Sequence, residues 1–431
     1  MCSSSTPPAF AACWAPAAGH ASGAPTSSRE ASVRTLIGQW EAQTNYEAGE
    51  PPLYYALAGS ICKFASICGI RGGVLLYLLR FLNAGVAVGL VWIGYIAGRF
   101  VFPGRTFPRI ALAALAAFLP QDTFYSVQND VMSPLFFGIA FIGLLKLFGD
   151  EPAKVSTGVY TGLSLAASCL VKTANIPLVI FATVALFFRM AQLTRARRLH
   201  AYSATFISLA ACVIVPLGVW VTWNYHAFGD ATATAAKIQY LGWTRKPMSE
   251  WWPHPLFTFS GLSQFWTELM ASFWRGEFVW HGERLASATV DNFYWLSSLF
   301  VLVITMIDLL SRKTLAQFER SALWLALGSF LAAVAFLVGL SLAFDFGACF
   351  YPSREAPYFN SGRLLSGATI PFFLIYAYAL DRISSWTKLK WVPFALLAII
   401  IAVVTISEVV VNRPAFASQY NFFHMVSNVK L

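Results

Sequence analysis

The chain has 431 residues, of which 57% are hydrophobic and 12% are charged. Because a soluble globular domain carries about 25% charged residues, this composition excludes an ordinary soluble domain and predicts a membrane protein. The net charge of +10 does not indicate a nucleic-acid partner. The basic residues cluster in short loops between apolar runs, as the positive-inside rule for membrane proteins requires.

Residues 1–45 are rich in Ala, Ser and Pro, and this composition predicts a disordered N-terminal segment. The segment lacks the basic start and the apolar stretch of a signal peptide. The orientation of the later spans nevertheless places it outside the cytoplasm. We therefore expect that an initial transmembrane helix is missing from this chain.

Apolar runs long enough to cross ~30 Å of hydrocarbon follow along the rest of the chain. They lie at residues 74–98, 107–120, 130–148, 155–171, 174–189, 203–223, 292–310, 321–343, 363–381 and 391–411. The second run is short, and the runs around it fit broken helices. The sequence therefore predicts an all-α fold, a polytopic transmembrane helix bundle with about ten spans and a large non-cytoplasmic loop.

Basic residues decide the predicted orientation, because all of their clusters fall on one face of these spans, which is then cytoplasmic. The clusters are Arg99, Arg105 and Arg109; Arg189, Arg195, Arg197 and Arg198; Arg312, Lys313 and Arg320; and Arg382, Lys388 and Lys390. The predicted parts are an N-terminal transmembrane bundle with an interfacial helix at 46–223, a non-cytoplasmic loop region at 224–291, a C-terminal transmembrane bundle at 292–411 and a tail at 412–431. We expect a multi-pass protein of the cell inner membrane.

A Glu- and Pro-rich motif begins the ordered part of the chain on the predicted outer face. Pro51 and Pro52 prevent a helix before them and favour one directly after. The apolar stretch up to residue 70 fits a helix in the membrane interface, with Tyr54 at the level of the lipid headgroups. Glu47, Glu50 and Tyr54 are candidate site residues. The alternative is an ordinary amphipathic lead-in to the first span.

Carboxylates gather before the third span. Asp122 follows Leu119-Pro120, and Asn129 and Asp130 stand where the apolar run begins. Helix capping is the structural alternative, since Asn and Asp favour the N-cap and carboxylates suit the positive end of a helix. Capping accounts for one of these residues but not for the group. Because a carboxylate so close to hydrocarbon is costly, we predict a functional role.

Cations on the predicted outer face are candidate phosphate ligands. Lys172 stands between two apolar spans, and Arg354 and Arg363 stand before the ninth span. A guanidinium group binds phosphate through paired donors, and a helix N-terminus adds N–H groups. The alternative for Lys172 and for Arg363 is snorkelling, in which a long basic side chain reaches towards the membrane surface.

The predicted outer loop is rich in tryptophan. Its tryptophans are Trp243, Trp251, Trp252, Trp266, Trp274 and Trp280. Such side chains suit a loop that lies on the membrane interface, and they also stack on sugar rings. His254, His281 and Glu283 lack the spacing of metal ligands, so no cofactor is predicted, while a divalent metal stays open without being indicated.

The order of these motifs resembles the GT-C superfamily of polytopic glycosyltransferases, which includes the protein O-mannosyltransferases and the lipid A aminoarabinose transferases. The likeness consists of Glu-Pro-Pro-Leu-Tyr-Tyr before an interfacial helix, Leu-Pro followed by Asn129-Asp130, and Ser-Gly-Arg363-Leu before a late span. It covers roughly residues 46–382. The family places its principal catalytic carboxylate in the first outer loop, well upstream of the Pro-Pro element, whereas no aspartate precedes Asp122 in this chain.

The resemblance implies a polyprenyl-phosphate-linked sugar as donor and transfer on the non-cytoplasmic side, with the acceptor open between lipid, glycan and protein. Under this hypothesis Asp130, or else Asp122 or Glu47, deprotonates or positions the acceptor. Arg363, with Arg354 or Lys172, holds the phosphate, and membrane lipids surround the site. The alternatives are a non-catalytic relative that binds a lipid-linked sugar, and a lipid or sugar transporter.

Overall fold

The computed structural model describes residues 49–70, 73–120, 122–149, 151–280, 283–311, 315–349 and 352–418. The chain forms two compact units. The larger unit contains Pro51–Trp220, Pro255–Gly339 and residues 359–418, and the smaller unit contains residues 49–50, Val221–His254 and the described part of Leu340–Tyr358. Glu47 lies outside the described residues.

Helices make up nearly all of the regular structure in the described residues, so the all-α prediction is confirmed. In chain order they are α1 (Leu53–Ile67), α2 (Gly73–Val101), α3 (Thr106–Ala117), α4 (Ser133–Leu147), α5 (Val155–Val171), α6 (Ile176–Arg195), α7 (Ser203–Phe228), α8 (Ala235–Tyr240), α9 (Phe259–Arg275), α10 (Ala288–Ser311), α11 (Gln317–Ala343), α12 (Thr369–Thr387), α13 (Val392–Val411) and α14 (Arg413–Phe416). Short strands are β1 (Thr244–Arg245), β2 (Val279–Trp280), β3 (Glu283–Arg284) and β4 (Phe344–Asp345).

The length and apolar character of these helices fit membrane spans. Eight helical segments of the described chain are long and apolar enough to span a bilayer, which fits a multi-pass membrane protein. Helix α3 has 12 residues and α5 has 17, both below the ~20 residues that a straight span needs. Each predicted apolar run coincides with one of these helices over most of its length, while the count of about ten spans stays a prediction.

Helix α12 is the centre of the larger unit. Its residues from Thr369 to Leu380 are all buried, and it contacts α2, α3, α4, α10 and α13. A helix that is apolar on all sides belongs inside a bundle, because it has no polar face to present to water. The residues that precede and follow α12 therefore mark the two ends of this bundle.

Small residues bring α2 and α3 into close contact. A Cβ at Gly94 would lie 3.1 Å from the carbonyl oxygen of Leu112, and one at Gly98 would lie 2.9 Å from the Cα of Arg109. Two glycines spaced by four residues place a groove on one face of α2, and the backbone of α3 lies in it. This packing fixes the short helix that leads to Asp122.

Charged side chains tie the helices together at the C-terminal end of α12. Arg105, in the loop between α2 and α3, donates from Nη2 to Glu319 at 2.9 and 3.0 Å and from Nη1 to Asp381 at 3.2 Å. Nearby, Arg382 lies 2.7 Å from the Asp308 carboxylate, which also accepts a hydrogen bond from Tyr378. Arg105, Glu319 and Arg382 lie in the basic loops that the sequence assigns to the cytoplasmic face.

The smaller unit contains one two-stranded antiparallel pairing, in which Thr244 faces Asp345. Beside it, the backbone N–H of Lys246 donates to the carbonyl of Ala343 at 2.8 Å, and the indole of Trp243 packs on Phe346. Strands β2 and β3 form a separate hairpin in the larger unit. The predicted outer loop is thus folded and divided at His254 between the two units.

Candidate functional site

A buried ion pair lies directly before α4. Asn129–Met132 form a 3-10 turn, and within it Asp130 is 2% exposed. The ammonium of Lys172 lies 3.6 Å from Asp130 Oδ1 and donates to Asn129 Oδ1 at 3.2 Å. Because water is largely excluded here, each charge depends on the other for stabilisation. Lys172 therefore has a role beyond snorkelling.

Capping does not account for Asp130 or Asn129. The N-cap of α4 is Met132 and that of the preceding turn is Gln128, and neither has a side-chain capping hydrogen bond. The Asp130 carboxylate is directed to Lys172, which ends α5, instead of to the amides of its own helix. Neither residue therefore caps the helix through its side chain, although Asp130 does stand in the first turn, as the capping alternative also held.

Asn175 connects this ion pair to the N-terminal end of α12. Its amide nitrogen donates to Ser133 Oγ at 2.9 Å and to the carbonyl of Ser168 at 2.8 Å. Gly367 lies so close to the Asn175 amide oxygen that a Cβ there would collide with it. The 3-10 turn Gly362–Ala368 accordingly packs against both Thr173–Asn175 and Asn129–Met132.

Arg363 stands in that same turn, so the motifs that carry Asp130, Lys172 and Arg363 come together at one end of the larger unit. The Arg363 side chain is 45% exposed and its Nε lies 3.8 Å from Glu277 Oε2. Glu277 is in turn joined to Asp122, because its backbone N–H donates to Asp122 Oδ2 at 3.0 Å. Two carboxylates and an accessible guanidinium thus stand side by side.

The carboxyl group of Asp122 has a perturbed pKa. Burial raises the pKa of Asp122 above its ordinary value, and the neighbouring Glu277 carboxylate raises it further. The N–H of Glu277 and the charges of Arg363 and Arg275 act in the opposite direction on this pKa without cancelling the rise. Asp122 therefore holds its proton more tightly than a carboxyl group in water does.

The position of Glu277 is fixed by its neighbours along the chain. Arg275 is buried and forms a two-pronged pair with Asp291 at 2.7 and 3.0 Å, and it also donates to the carbonyl of Gly276 at 2.9 Å. On the preceding turn of α9, Ser272 Oγ accepts the N–H of Gly362 at 2.8 Å. The end of α9 is thus bound to both Asp291 and the turn that carries Arg363.

Several buried polar atoms at this end have no hydrogen-bond partner among the described residues. They are Asn129 Nδ2, Asp130 Oδ1, Glu277 Oε1 and Ser361 Oγ. These atoms include both donors and acceptors. Similar buried atoms occur elsewhere in the described chain, for example Tyr160 Oη and Thr305 Oγ1, so they do not by themselves mark this end as a site.

The other predicted site residues have different surroundings. In the smaller unit, Glu50 pairs with Lys237 at 2.7 Å, and Arg354 pairs with Asp345 at 3.0 Å. In the larger unit, the ring of Tyr54 is buried in an apolar cluster with Val131. Tyr54 therefore packs against the turn that carries Asp130 instead of lying exposed at the level of the headgroups.

An apolar groove of about 540 Å³ lies between α1 and α2. Its lining residues are Ser60, Ile61, Phe64, Ala65, Ile70, Leu78, Phe81 and Leu82. Leu82 also packs on the cluster that contains Tyr54 and Val131, so the groove and the Asp130 turn share a wall. Within the described residues, no group of three or more His, Cys, Asp or Glu side chains could hold a metal ion.

Sequence reasoning missed Glu277, Arg275 and Asp291. All three lie in or beside the tryptophan-rich loop, where aromatic composition drew attention to the interface. The only local signal is the Arg-Gly-Glu run that ends an amphipathic helix.

No family model, no curated protein and no solved structure matches this chain. The GT-C resemblance therefore stays a prediction that the motifs alone carry.

Proposed function

We propose that this protein is a membrane glycosyltransferase that moves a sugar from a polyprenyl-phosphate donor to a lipid, glycan or protein acceptor. The observation that carries the proposal is the meeting of Lys172–Asp130 and Arg363–Glu277 on short turns between membrane-spanning helices. Transfer from a lipid phosphate needs a cation for the phosphate and a carboxylate for the acceptor proton, at membrane depth.

Arg363 is the cation best placed to receive the donor phosphate. Its side chain is 45% exposed, whereas that of Lys172 is 18% exposed and is engaged by Asn129 and Asp130. A guanidinium offers phosphate two parallel N–H donors, and the leaving phosphate gains negative charge as the bond to the sugar breaks. In this proposal Arg363 holds the phosphate and Lys172 fixes Asp130 beside it.

The groove between α1 and α2 supports a lipid-linked donor over a soluble nucleotide sugar. Its lining is apolar, and it shares Leu82 with the cluster beneath the Asp130 turn. A polyprenyl chain enters such a groove from the bilayer at little cost, because lipid tails are as apolar as the lining of the groove. The sugar then lies near Asn129 and Asp130.

The test is turnover by the purified full chain in proteoliposomes that contain polyprenyl-phosphate sugars, compared with Arg363→Ala and with Arg413→Ala as a matched loss of an exposed arginine. We expect Arg363→Ala to lower turnover by about 100-fold or more, as removal of one oxyanion-stabilising group does, and Arg413→Ala to have no effect. Equal turnover by all three proteins would remove Arg363 from the mechanism, and absence of turnover with every donor would refute the transferase.

A second candidate is a non-catalytic protein that binds a lipid-linked sugar. It is favoured by the fact that the cations Lys172 and Arg363 already face carboxylates. Such a protein would bind the donor with an affinity that depends on Arg363 but would release it unchanged. Donor binding without any bond formation in the same proteoliposomes would decide for it.

A further inference from the structure

We propose that Glu277 is the proton acceptor of the transfer, and that Arg363 restrains it until the donor phosphate occupies that guanidinium. This inference rests on the proposed transferase function. It concerns a residue that none of the sequence motifs contains.

The contact between Glu277 and Arg363 is close but incomplete. The separation of 3.8 Å between Arg363 Nε and Glu277 Oε2 exceeds hydrogen-bond length, so the pair is held by charge. The other carboxylate oxygen, Oε1, is buried and has no hydrogen-bond partner among the described residues. Since Oε1 is buried, the oxygen through which Glu277 accepts the hydroxyl proton is Oε2, on the side of Arg363.

The neighbouring carboxylates are less suited to accept a proton. Asp130 is 2% exposed and stands behind Lys172. Asp122 already accepts the N–H of Glu277, and its raised pKa keeps it protonated over a wider range of pH. Glu277 is 19% exposed and lies next to the more exposed Arg363, so a substrate at Arg363 meets Glu277 first.

The transfer step balances with these groups alone. The acceptor hydroxyl gives its proton to the Glu277 carboxylate while its oxygen bonds to the anomeric carbon of the sugar. The bond between that carbon and the phosphate oxygen breaks, and its electron pair stays on the phosphate, which leaves as polyprenyl phosphate paired with Arg363. Glu277 then returns the proton to water.

This arrangement couples the position of Glu277 to donor binding. Without donor, Arg363 holds the Glu277 carboxylate beside its guanidinium by charge. When the donor phosphate pairs with Arg363, it competes with Glu277 for the guanidinium, and the carboxylate is released towards the acceptor hydroxyl. The donor consequently binds before Glu277 accepts a proton.

The test compares Glu277→Gln with wild type, and uses Glu355→Gln as the control, since Glu355 is an exposed carboxylate of the smaller unit. Turnover and polyprenyl phosphate binding are measured in the same proteoliposomes. We expect Glu277→Gln to lose about 10²–10⁴-fold in turnover, the usual contribution of a general base, while it binds polyprenyl phosphate as tightly as wild type or more tightly, because the competing carboxylate is gone.

If wild type turns over and the turnover of Glu277→Gln is within about threefold of the wild-type value, Glu277 is not the proton acceptor. The transferase proposal would still stand in that case. Absence of wild-type turnover would overturn both. Should Glu277→Gln fail to fold, Glu277→Asp keeps the carboxylate one methylene shorter. Measurable but reduced turnover by Glu277→Asp supports the base, and complete inactivity of the folded Asp variant contradicts it.

Discussion

Lys172 Nζ lies 3.6 Å from Asp130 Oδ1, and this pair joins the end of α5 to the start of α4. The two partners differ in exposure, since Asp130 is 2% exposed and the Lys172 side chain 18%. Removal of either one leaves the other charge without its partner. The cost is therefore predicted to depend on which partner is removed.

We expect Lys172→Met to destabilise the protein by about 3–5 kcal/mol, the cost of an unpaired charge at a buried site. Asp130→Asn should cost about 1–2 kcal/mol, because Lys172 keeps its hydrogen bond to Asn129 and reaches water. Thermal unfolding in detergent measures both. In the double variant, the loss should be smaller than the sum of the two; simple additivity would show that the ions do not stabilise each other.

A second prediction concerns Gly276, which turns the chain around Asp122. Its φ of 82° and ψ of −162° lie in a region that only glycine adopts freely, and a Cβ there would collide with Asp122 Oδ1. Gly69 also has a positive φ, of 78°, but no described atom lies within 4 Å of the Cβ position. An alanine substitution at Gly69 therefore tests backbone strain alone, whereas one at Gly276 tests backbone strain together with a collision.

Gly69→Ala should lose about 1–2 kcal/mol from its left-handed backbone alone. Gly276→Ala should lose more than that and should also lower turnover, since movement of Asp122 displaces Glu277. The comparison uses unfolding temperature and turnover of both variants in one detergent. Equal stability losses, with turnover unchanged in Gly276→Ala, would mean that Asp122 does not hold Glu277 in place.

The helices were largely predictable from sequence, whereas the partners of the site residues were not. The run predicted at 155–171 is helix Val155–Val171, and that at 391–411 is Val392–Val411, because uninterrupted apolar residues bury well only as helices in a membrane. The predicted order of the spans also placed Asp130, Lys172 and Arg363 at the same end of the helix bundle. These predictions used only periodicity, length and the side of each loop.

Glu277 was beyond such reasoning because its environment is made by distant parts of the chain. It meets Asp122 across 155 residues of sequence, and it meets Arg363 only after α9 has packed against the turn before α12. Neither contact follows from local spacing. Likewise, Asp130 looked like a helix cap because the sequence places it near a helix start, while its partner Lys172 comes from the next helix.

A third prediction follows from the raised pKa of Asp122, which burial causes first and Glu277 second. A carboxyl group with a higher pKa in the folded state stabilises the fold while protonated, and this stabilisation is lost as the pH rises through the folded-state pKa. In Asp122→Asn the loss cannot occur. The stability of this variant relative to wild type should therefore increase as the pH rises from below 3.8, the ordinary pKa of this group, to neutrality.

Asp345→Asn is the control of opposite sign for that experiment. The hydrogen bond from Arg354 lowers the pKa of Asp345, so its stabilisation is present above pH 3.8 and is lost as the pH falls through the folded-state value. Unfolding temperatures across this range measure both variants. If the difference between Asp122→Asn and wild type does not change with pH, the carboxyl of Asp122 titrates as it would in water and the assignment is wrong.

The last prediction concerns Arg105, which bridges Glu319 and Asp381 at the opposite end of α12. Arg105→Lys keeps the positive charge, and with it the predicted orientation, but an ammonium group cannot donate in a fork to two carboxylates. We expect a loss of about 1–2 kcal/mol, reduced from that of a fully buried pair because the Arg105 side chain is 39% exposed. Arg99→Lys, at an exposed position on α2, should change stability by less than about 0.5 kcal/mol.

In an Asp381→Asn background the loss of stability from Arg105→Lys should be smaller, since one of the two guanidinium N–H donors then has no charged partner. An undiminished loss there would show that Arg105 acts through Glu319 alone and does not join α11 to α12.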